Sequence, residues 1–160
     1  MFEIPEWPYF LGPPEARGVI RQSLEDFRVE EMPRIKPSNQ GSHLWLWIEK
    51  CDANTDFVAG QLARATGCHR RDIGYAGLKD RRAVTRQWFS LPASIAVDEA
   101  IAGFKMEGVD ILDKRLHTRK LKRGTLDGNR FELTIREFQG RSGEHTSELQ
   151  SQFRISYAVF

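Results

Sequence analysis

The sequence predicts an α+β fold, a largely antiparallel mixed sheet with short flanking helices. Three observations carry that prediction. Residues 43–50 (HLWLWIEK) and 131–138 (FELTIREF) alternate with the two-residue period of strands. Only two stretches, 55–66 and 97–105, read as helix, and both are short. Strands and helices interleave along the chain, which argues for α+β layers. The 160 residues suit one domain or most of one, and 40% apolar residues suffice for a core.

Taken in order, residues 1–14 are rich in proline and aromatics and cannot form a regular helix. They read as an extended segment with Trp7 and Phe10 as anchors. Residues 18–31 read as two short strands around a turn in which Ser23 and Asp26 supply the turn chemistry. A loop spans 35–41. In the strand 43–50, Leu44, Leu46 and Ile48 share one face, and Trp45, Trp47 and Glu49 the other. Both faces are bulky, so the strand is expected to be covered on both sides. Its tryptophans suit a core; stacking on bases is the alternative. Asn54 is placed as the N-cap of a helix over 55–66, with Phe57, Val58, Leu62 and Ala65 inward and Gly67 ending it. A short strand at 72–75 leads into Gly77-Leu78-Lys79-Asp80, and a strand over 83–91 stops at Pro92. Ile101 and Phe104 face inward from the helix at 97–105. A strand at 109–112, a turn at 126–129 and the strand at 131–138 complete the pattern.

Charge is small in sum and uneven in place. Net charge is +2, yet residues 69–86 hold six Lys or Arg against two Asp, and residues 114–123 hold six and no acid. Clusters of this kind are the electrostatic footprint of nucleic-acid binding, although a basic run can also be only a solvated surface. No run approaches the ~18 apolar residues of a membrane span. The first residues lack the basic and apolar regions of a secretory signal. Cys51 and Cys68 make no disulfide framework, and Cys68-His69 lacks partners at zinc-ligand spacing. A cytoplasmic monomer without cofactor or metal is expected.

The chemistry concentrates in residues 75–92, YAGLKDRRAVTRQWFSLP. A glycine-punctuated turn presents one carboxylate, Asp80, beside Lys79, Arg81, Arg82 and Arg86. A carboxylate held in a basic groove can act on a polyanionic substrate. The alternative is that Asp80 caps a turn or pairs with an arginine.

Four stretches resemble the TruD-type tRNA pseudouridine synthases: residues 25–31 (EDFRVEE), 41–63, 74–92 and 117–137 (HTRKLKRGTLDGNRFELTIRE). They follow the family's order and spacing over residues 17–139. The resemblance implies a partial pseudouridine synthase catalytic core. It also implies isomerisation of a tRNA uridine, usually the one at tRNA position 13, with tRNA as partner and no cofactor. It places the catalytic aspartate at Asp80 and substrate-pocket residues at Phe27, Asn129 and Phe131. Stacking on aromatic rings would hold a flipped base, and the Asn129 amide can both donate and accept at a uracil edge. Plain core packing is the alternative for both phenylalanines. Lys79, Arg81, Arg82, Arg119, Lys120 and Arg123 are then expected at RNA phosphates. Arg21 stands where many relatives carry lysine, and no role is transferred to it.

The family's further pocket segment, inserted domain and returning chain are not found in these residues, so residues 1–140 are expected to be the N-terminal part of the catalytic domain and inactive alone. Residues 141–160 (RSGEHTSELQSQFRISYAVF) resemble the in-frame translation of a sequencing-library adapter, with Gly143 standing where that reading expects glutamate. The stretch FRISYAVF can still form a strand by propensity. Two other functions compete: a non-catalytic RNA-binding module, and a metal-dependent nuclease built on Asp80. The nuclease is disfavoured because no second carboxylate lies near Asp80 in its motif.

Overall fold

A computed structural model describes residues 16–139 and the backbone of residues 152–159. The expected anchors Trp7 and Phe10 lie outside the described residues. The chain runs through strands β1 (Arg17–Ile20) and β2 (Phe27–Pro33), joined through a single 3-10 turn at Leu24–Asp26. Then come β3 (His43–Cys51), helix α1 (Thr55–Thr66), β4 (Gly74–Tyr75) and β5 (Val84–Pro92). Helix α2 (Ile95–Ala102), β6 (Val109–His117), β7 (Leu126–Gln139) and β8 (Gln152–Val159) follow. The strands form one sheet in the order β1-β7-β2-β5-β3-β6, with β4 on β5 and β8 on β7. Only β2 and β5 pair in parallel; every other described pairing is antiparallel. The predicted fold class is therefore the observed one.

Strand β3 shows why. Its Leu44, Leu46 and Ile48 face a core that also takes Val58, Ala59 and Leu62 of α1 and Val97 and Ile101 of α2. Its other face buries Trp45 against Trp88 and Leu121, with Trp47 packed alongside. Trp45 is 1% exposed and donates its indole N–H to the Arg119 carbonyl at 2.8 Å, so this ring belongs to the core. Helix α1 begins and ends where expected, with Asn54 extended at its start and Gly67 at φ 69° after its end, but the Asn54 side chain makes no capping hydrogen bond. The inward face differs. Phe57 and Ala65 are exposed, and Ala59 and Ala63 point inward instead, because small residues let α1 lie close to the sheet.

Several boundaries move. The strand expected at 72–75 is only Gly74–Tyr75, because Arg70–Asp72 form a 3-10 turn ahead of it. Helix α2 starts earlier than expected, where the Ser94 hydroxyl accepts the Val97 N–H at 3.2 Å; Phe104 packs on the core from beyond its end. Strand β6 continues to His117 and takes in the first part of the basic run. Residues 126–129, expected as a turn, open β7, because β2 supplies partners for them: Glu31 faces Asn129 and Met32 faces Gly128.

Strand β7 has neighbours on both sides. Its residues 126–133 pair with β2 and residues 135–139 with β1, while 129–136 also pair with β8. A residue paired twice must use both edges, so β8 lies opposite β1 and β2. The turn into β2 is fastened to β7 by Asp26, which is buried. Both of its carboxylate oxygens accept from Arg136 at 2.8–3.0 Å, and one accepts the Ser23 N–H at 2.9 Å. Arg136 holds this carboxyl well below the usual carboxylate range.

Candidate active site

The loop from Gly77 to Ala83 connects β4 to β5, and buried polar groups hold it from beneath. On β2, β5 and β3, the register places Glu31, Thr85, Gln87 and Lys50 toward the same face of the sheet. Gln87 donates to the Gly77 carbonyl at 2.9 Å and accepts from the Thr55 hydroxyl at 2.9 Å. The Lys79 N–H donates to that same hydroxyl at 3.1 Å. The Lys50 ammonium donates to the carbonyls of Asp80 (2.7 Å) and Lys79 (3.4 Å). Both carbonyls are drawn inward, and the Asp80 residue is left exposed.

Lys79 departs from expectation. Its ammonium is buried and pairs with Glu31 at 3.1 Å, with side-chain exposures of 2% and 1%. It is therefore sealed beneath the loop, away from any phosphate outside. Glu31 also accepts the Trp88 N–H at 3.3 Å. Burial pushes the Glu31 carboxyl up, and the Lys79 ammonium and the Trp88 N–H pull it back down.

The other cations around Asp80 are mostly spent. Arg81 pairs with Asp52 at 3.1 Å, and Arg86 with Glu49 at 2.7 Å. Both arginines keep substantial exposure, and surface pairs of this kind exchange readily with solvent or a ligand. Arg82 is exposed and lines a cleft of about 260 Å³ with Arg21, Gln22, Ser23 and Leu24.

Phe27 opens β2 where the loop ends, packed with Val29, Ala83, Phe131 and Leu133. The loop carrying Asp80 thus lands against the two aromatic residues predicted for the pocket. The Phe27 and Phe131 rings stack at 6.0 Å and 17°. The Arg21 guanidinium lies 4.0 Å from the Phe27 ring centre, and Arg21 adopts φ 55°. Phe27 is 7% exposed, so a base reaching that ring must displace a neighbour, and Arg21 is the exposed one. Asn129 stands two residues along β7 from Phe131, facing Glu31. Its Oδ1 is buried without a hydrogen-bond partner, as is the Thr85 hydroxyl.

The basic run lies beside the same loop. The Leu121 N–H donates to the Ser90 hydroxyl at 2.8 Å, and the Gly124 N–H to the Ala76 carbonyl at 2.8 Å. A Cβ on Gly74 would meet the Leu121 carbonyl at 2.3 Å, so glycine is what lets the run approach β4. Lys120 donates to the Arg71 carbonyl, and Arg123 to the Tyr75 hydroxyl at 3.2 Å. Arg119 is exposed. His117 accepts the Ser38 N–H through Nδ1 at 3.2 Å, and burial with the nearby Arg119 lowers its affinity for a second proton.

Sequence reasoning found the loop, the aromatic pair and the run. It missed Lys50, Thr55, Gln87 and Glu31, whose only local signal is a polar residue on an otherwise apolar face. Among the described residues, no group of three or more His, Cys, Asp or Glu is placed to hold a metal ion, and no helix is long and apolar enough to cross a membrane.

The family model for tRNA pseudouridine synthase D (TruD) matches residues 6–156. The chain belongs to the TruD family. It is 52% identical over 133 residues to the tRNA pseudouridine synthase D of Chromohalobacter salexigens, covering 82% of this chain and 38% of that protein. It is 45% identical over 142 residues to that of Methylococcus capsulatus, covering 85% of this chain and 40% of the relative. The chain therefore spans about two fifths of the length of these relatives. A crystal structure of a Methanosarcina mazei protein assigned to TruD superposes with a TM-score of 0.67 at 29% identity, over 74% of this chain and 27% of that one. The mixed sheet with its two helices is thus part of a TruD catalytic core.

Proposed function

We propose that this chain carries the Asp80-bearing part of an enzyme that isomerises uridine to pseudouridine in tRNA. The observation that carries the reading is the Asp80 loop: its backbone is fixed from below by Lys50, Thr55 and Gln87, and its one carboxylate is left outside. Rigid support under an exposed reactive group is what positioned chemistry requires.

The reaction breaks the N1–C1′ bond of uridine and makes a C5–C1′ bond. The C5 proton leaves and N1 gains a proton, so the atoms balance without a co-substrate. The base must leave the helix stack to be turned. Asp80 acts at the sugar or at the uracil. Phe27 and Phe131 hold the uracil face once Arg21 moves aside, and the Asn129 amide, which can donate and accept, meets its edge. Arg81, Arg82, Arg119, Lys120 and Arg123 hold phosphates; Lys79 does not, because it is committed to Glu31. Residues 1–140 are the N-terminal part of the catalytic domain, and 141–160 are a tail foreign to the family whose residues 152–159 pair along β7. The enzyme works in the cytoplasm as a monomer.

The test uses a chimera in which residues 1–140 replace the matching part of the Chromohalobacter relative. Tritium release from uridine C5 in tRNA reports turnover. Asp80→Asn is expected to abolish release while tRNA binding persists. Release within a few-fold of the parent would remove Asp80 from the chemistry, and binding without release in the parent would leave an RNA-binding module.

A further inference from the structure

We propose that Lys50 is the positioning residue of the Asp80 loop: its buried ammonium gathers the Lys79 and Asp80 carbonyls and so fixes the direction in which the Asp80 carboxylate leaves the backbone. The inference rests on the reading of Asp80 as the reacting group.

Lys50 sits on β3, two residues beyond Ile48, on the face that otherwise buries Leu44, Leu46 and Ile48. It is 0% exposed. A buried ammonium is costly unless charge or hydrogen bonds compensate it, and an apolar side chain would ordinarily serve stability better. Lys79, buried nearby, has a carboxylate partner in Glu31. Lys50 has none within ion-pair distance among the described residues; its hydrogen bonds go to two successive loop carbonyls, at 2.7 and 3.4 Å. Its cross-strand neighbours, Thr85 on β5 and Val109 on β6, offer no charge either, and the Thr85 hydroxyl stays unpartnered. The ammonium is thus directed at the loop backbone.

The orientation follows from peptide geometry. A peptide unit is planar, so holding the carbonyls of residues 79 and 80 at one point fixes the planes on both sides of the Asp80 Cα. The Cα–Cβ bond direction is then set, leaving only side-chain rotamers free. Gln87 on the Gly77 carbonyl and Thr55 on the Lys79 N–H fix the approach to the loop, but neither reaches the far side of Asp80. Lys50 alone among these holds the carbonyl that follows it.

Charge gives the device a pH dependence. Burial lowers the Lys50 pKa to about 8; the Lys79 ammonium lowers it too, while Asp80 and Cys51 oppose. Glu31 on β2 faces Lys79 and offsets its repulsion. Lys50 is therefore charged at neutral pH and loses its proton as pH rises through about 8. The unfolded chain keeps its lysine proton until about 10.4, so between those values the unfolded state binds more protons and stability rises with pH. Loop order falls over the same interval. Rising stability with falling loop order is a combination that general alkaline unfolding cannot give.

The test measures turnover and amide exchange of residues 77–83 in the same chimera and in its Lys50→Met and Lys50→Arg variants. Lys50→Met is expected to lower kcat at least ten-fold with KM for tRNA within two-fold, and to speed loop exchange relative to α1. Lys50→Arg is expected to recover part of kcat and to move its alkaline limb upward. A folded Lys50→Met protein with kcat within two-fold of the parent, or a loss confined to KM, overturns the proposal. If the parent gives no turnover, the pseudouridine reading fails and loop exchange decides Lys50: faster exchange supports it, unchanged exchange overturns it. If Lys50→Met does not fold, exchange of the parent loop across pH 7–10, corrected for intrinsic rates, decides in the same way.

Discussion

Lys79 shows how a residue's neighbour in sequence can mislead about its neighbour in space. Next to Asp80 and two arginines it reads as a surface cation, yet Glu31, 48 positions away, takes it into the protein. Removing one member of a buried pair strands the other. Lys79→Met should therefore destabilise by about 3–5 kcal/mol, the cost typical of breaking a buried ion pair from one side. Adding Glu31→Gln removes the stranded charge and keeps an acceptor for the Trp88 N–H, so the double variant should recover much of that stability. The cost of Lys79→Met should also shrink at low pH, because burial, no longer opposed by Lys79, favours the protonated Glu31 carboxyl. Urea unfolding of the four proteins of the cycle measures this. A cost for Lys79→Met under 1 kcal/mol would mean that the ammonium is free to meet a phosphate after all. Asp80 itself was legible, because a single carboxylate in a glycine-bounded turn needs no distant partner to be noticed. Its supports were not legible. Lys50 lies 30 positions from Asp80, and Thr55 lies 32 from Gln87.

At the scale of elements, alternation and capping carried most of the fold. Strand β3 could be read because its run of leucine, isoleucine and tryptophan suits a strand covered on both faces, the later part of β7 because apolar and polar residues alternate along it, and α1 because Gly67 stops it. The start of β7 could not, because Leu126-Asp127-Gly128-Asn129 has turn composition and is extended only through its pairing with β2. The basic run is a similar mixture: residues 114–117 belong to β6, and the rest lies along β4 beside the Asp80 loop. On the proposed function, one tRNA backbone would touch both. Reversing the charge of Arg119, Lys120 and Arg123 in the chimera should weaken tRNA binding. It should also lower the slope of log K against log salt by about 0.7–0.9 for each phosphate that is no longer neutralised. Arg119 should account for the largest share, since Lys120 and Arg123 already bond to Arg71 and Tyr75. Binding measured across a salt series checks this, and an unchanged slope would make the run a solvated surface only.

On the scale of the whole molecule, β7 joins the two questions of folding and function. It carries Asn129 and Phe131, and its outer edge is covered by β8. The tail that supplies β8 resembles translated adapter, although the family match extends to residue 156. Both can hold, because an edge strand asks little of a sequence. Backbone pairing needs extended chain and β-forming residues, and FRISYAVF has them. The core under α1 and α2 involves β3, β4, β5 and β6. Two outcomes follow for the 160-residue chain. Deleting residues 141–160 should leave amide protection in β3, β5 and α1 intact. It should also speed exchange in residues 129–136 and promote association through the opened edge. Replacing residues 152–159 by an unrelated β-prone octapeptide should restore that protection. Neither form should release tritium from tRNA uridine, while the chimera should, because the relatives contribute about three fifths of their length beyond what this chain matches. Exchange mass spectrometry and the tritium assay on the same preparations decide the matter. Turnover by the 160-residue chain alone would sink both the incompleteness of its site and the reading of its tail as foreign to the family.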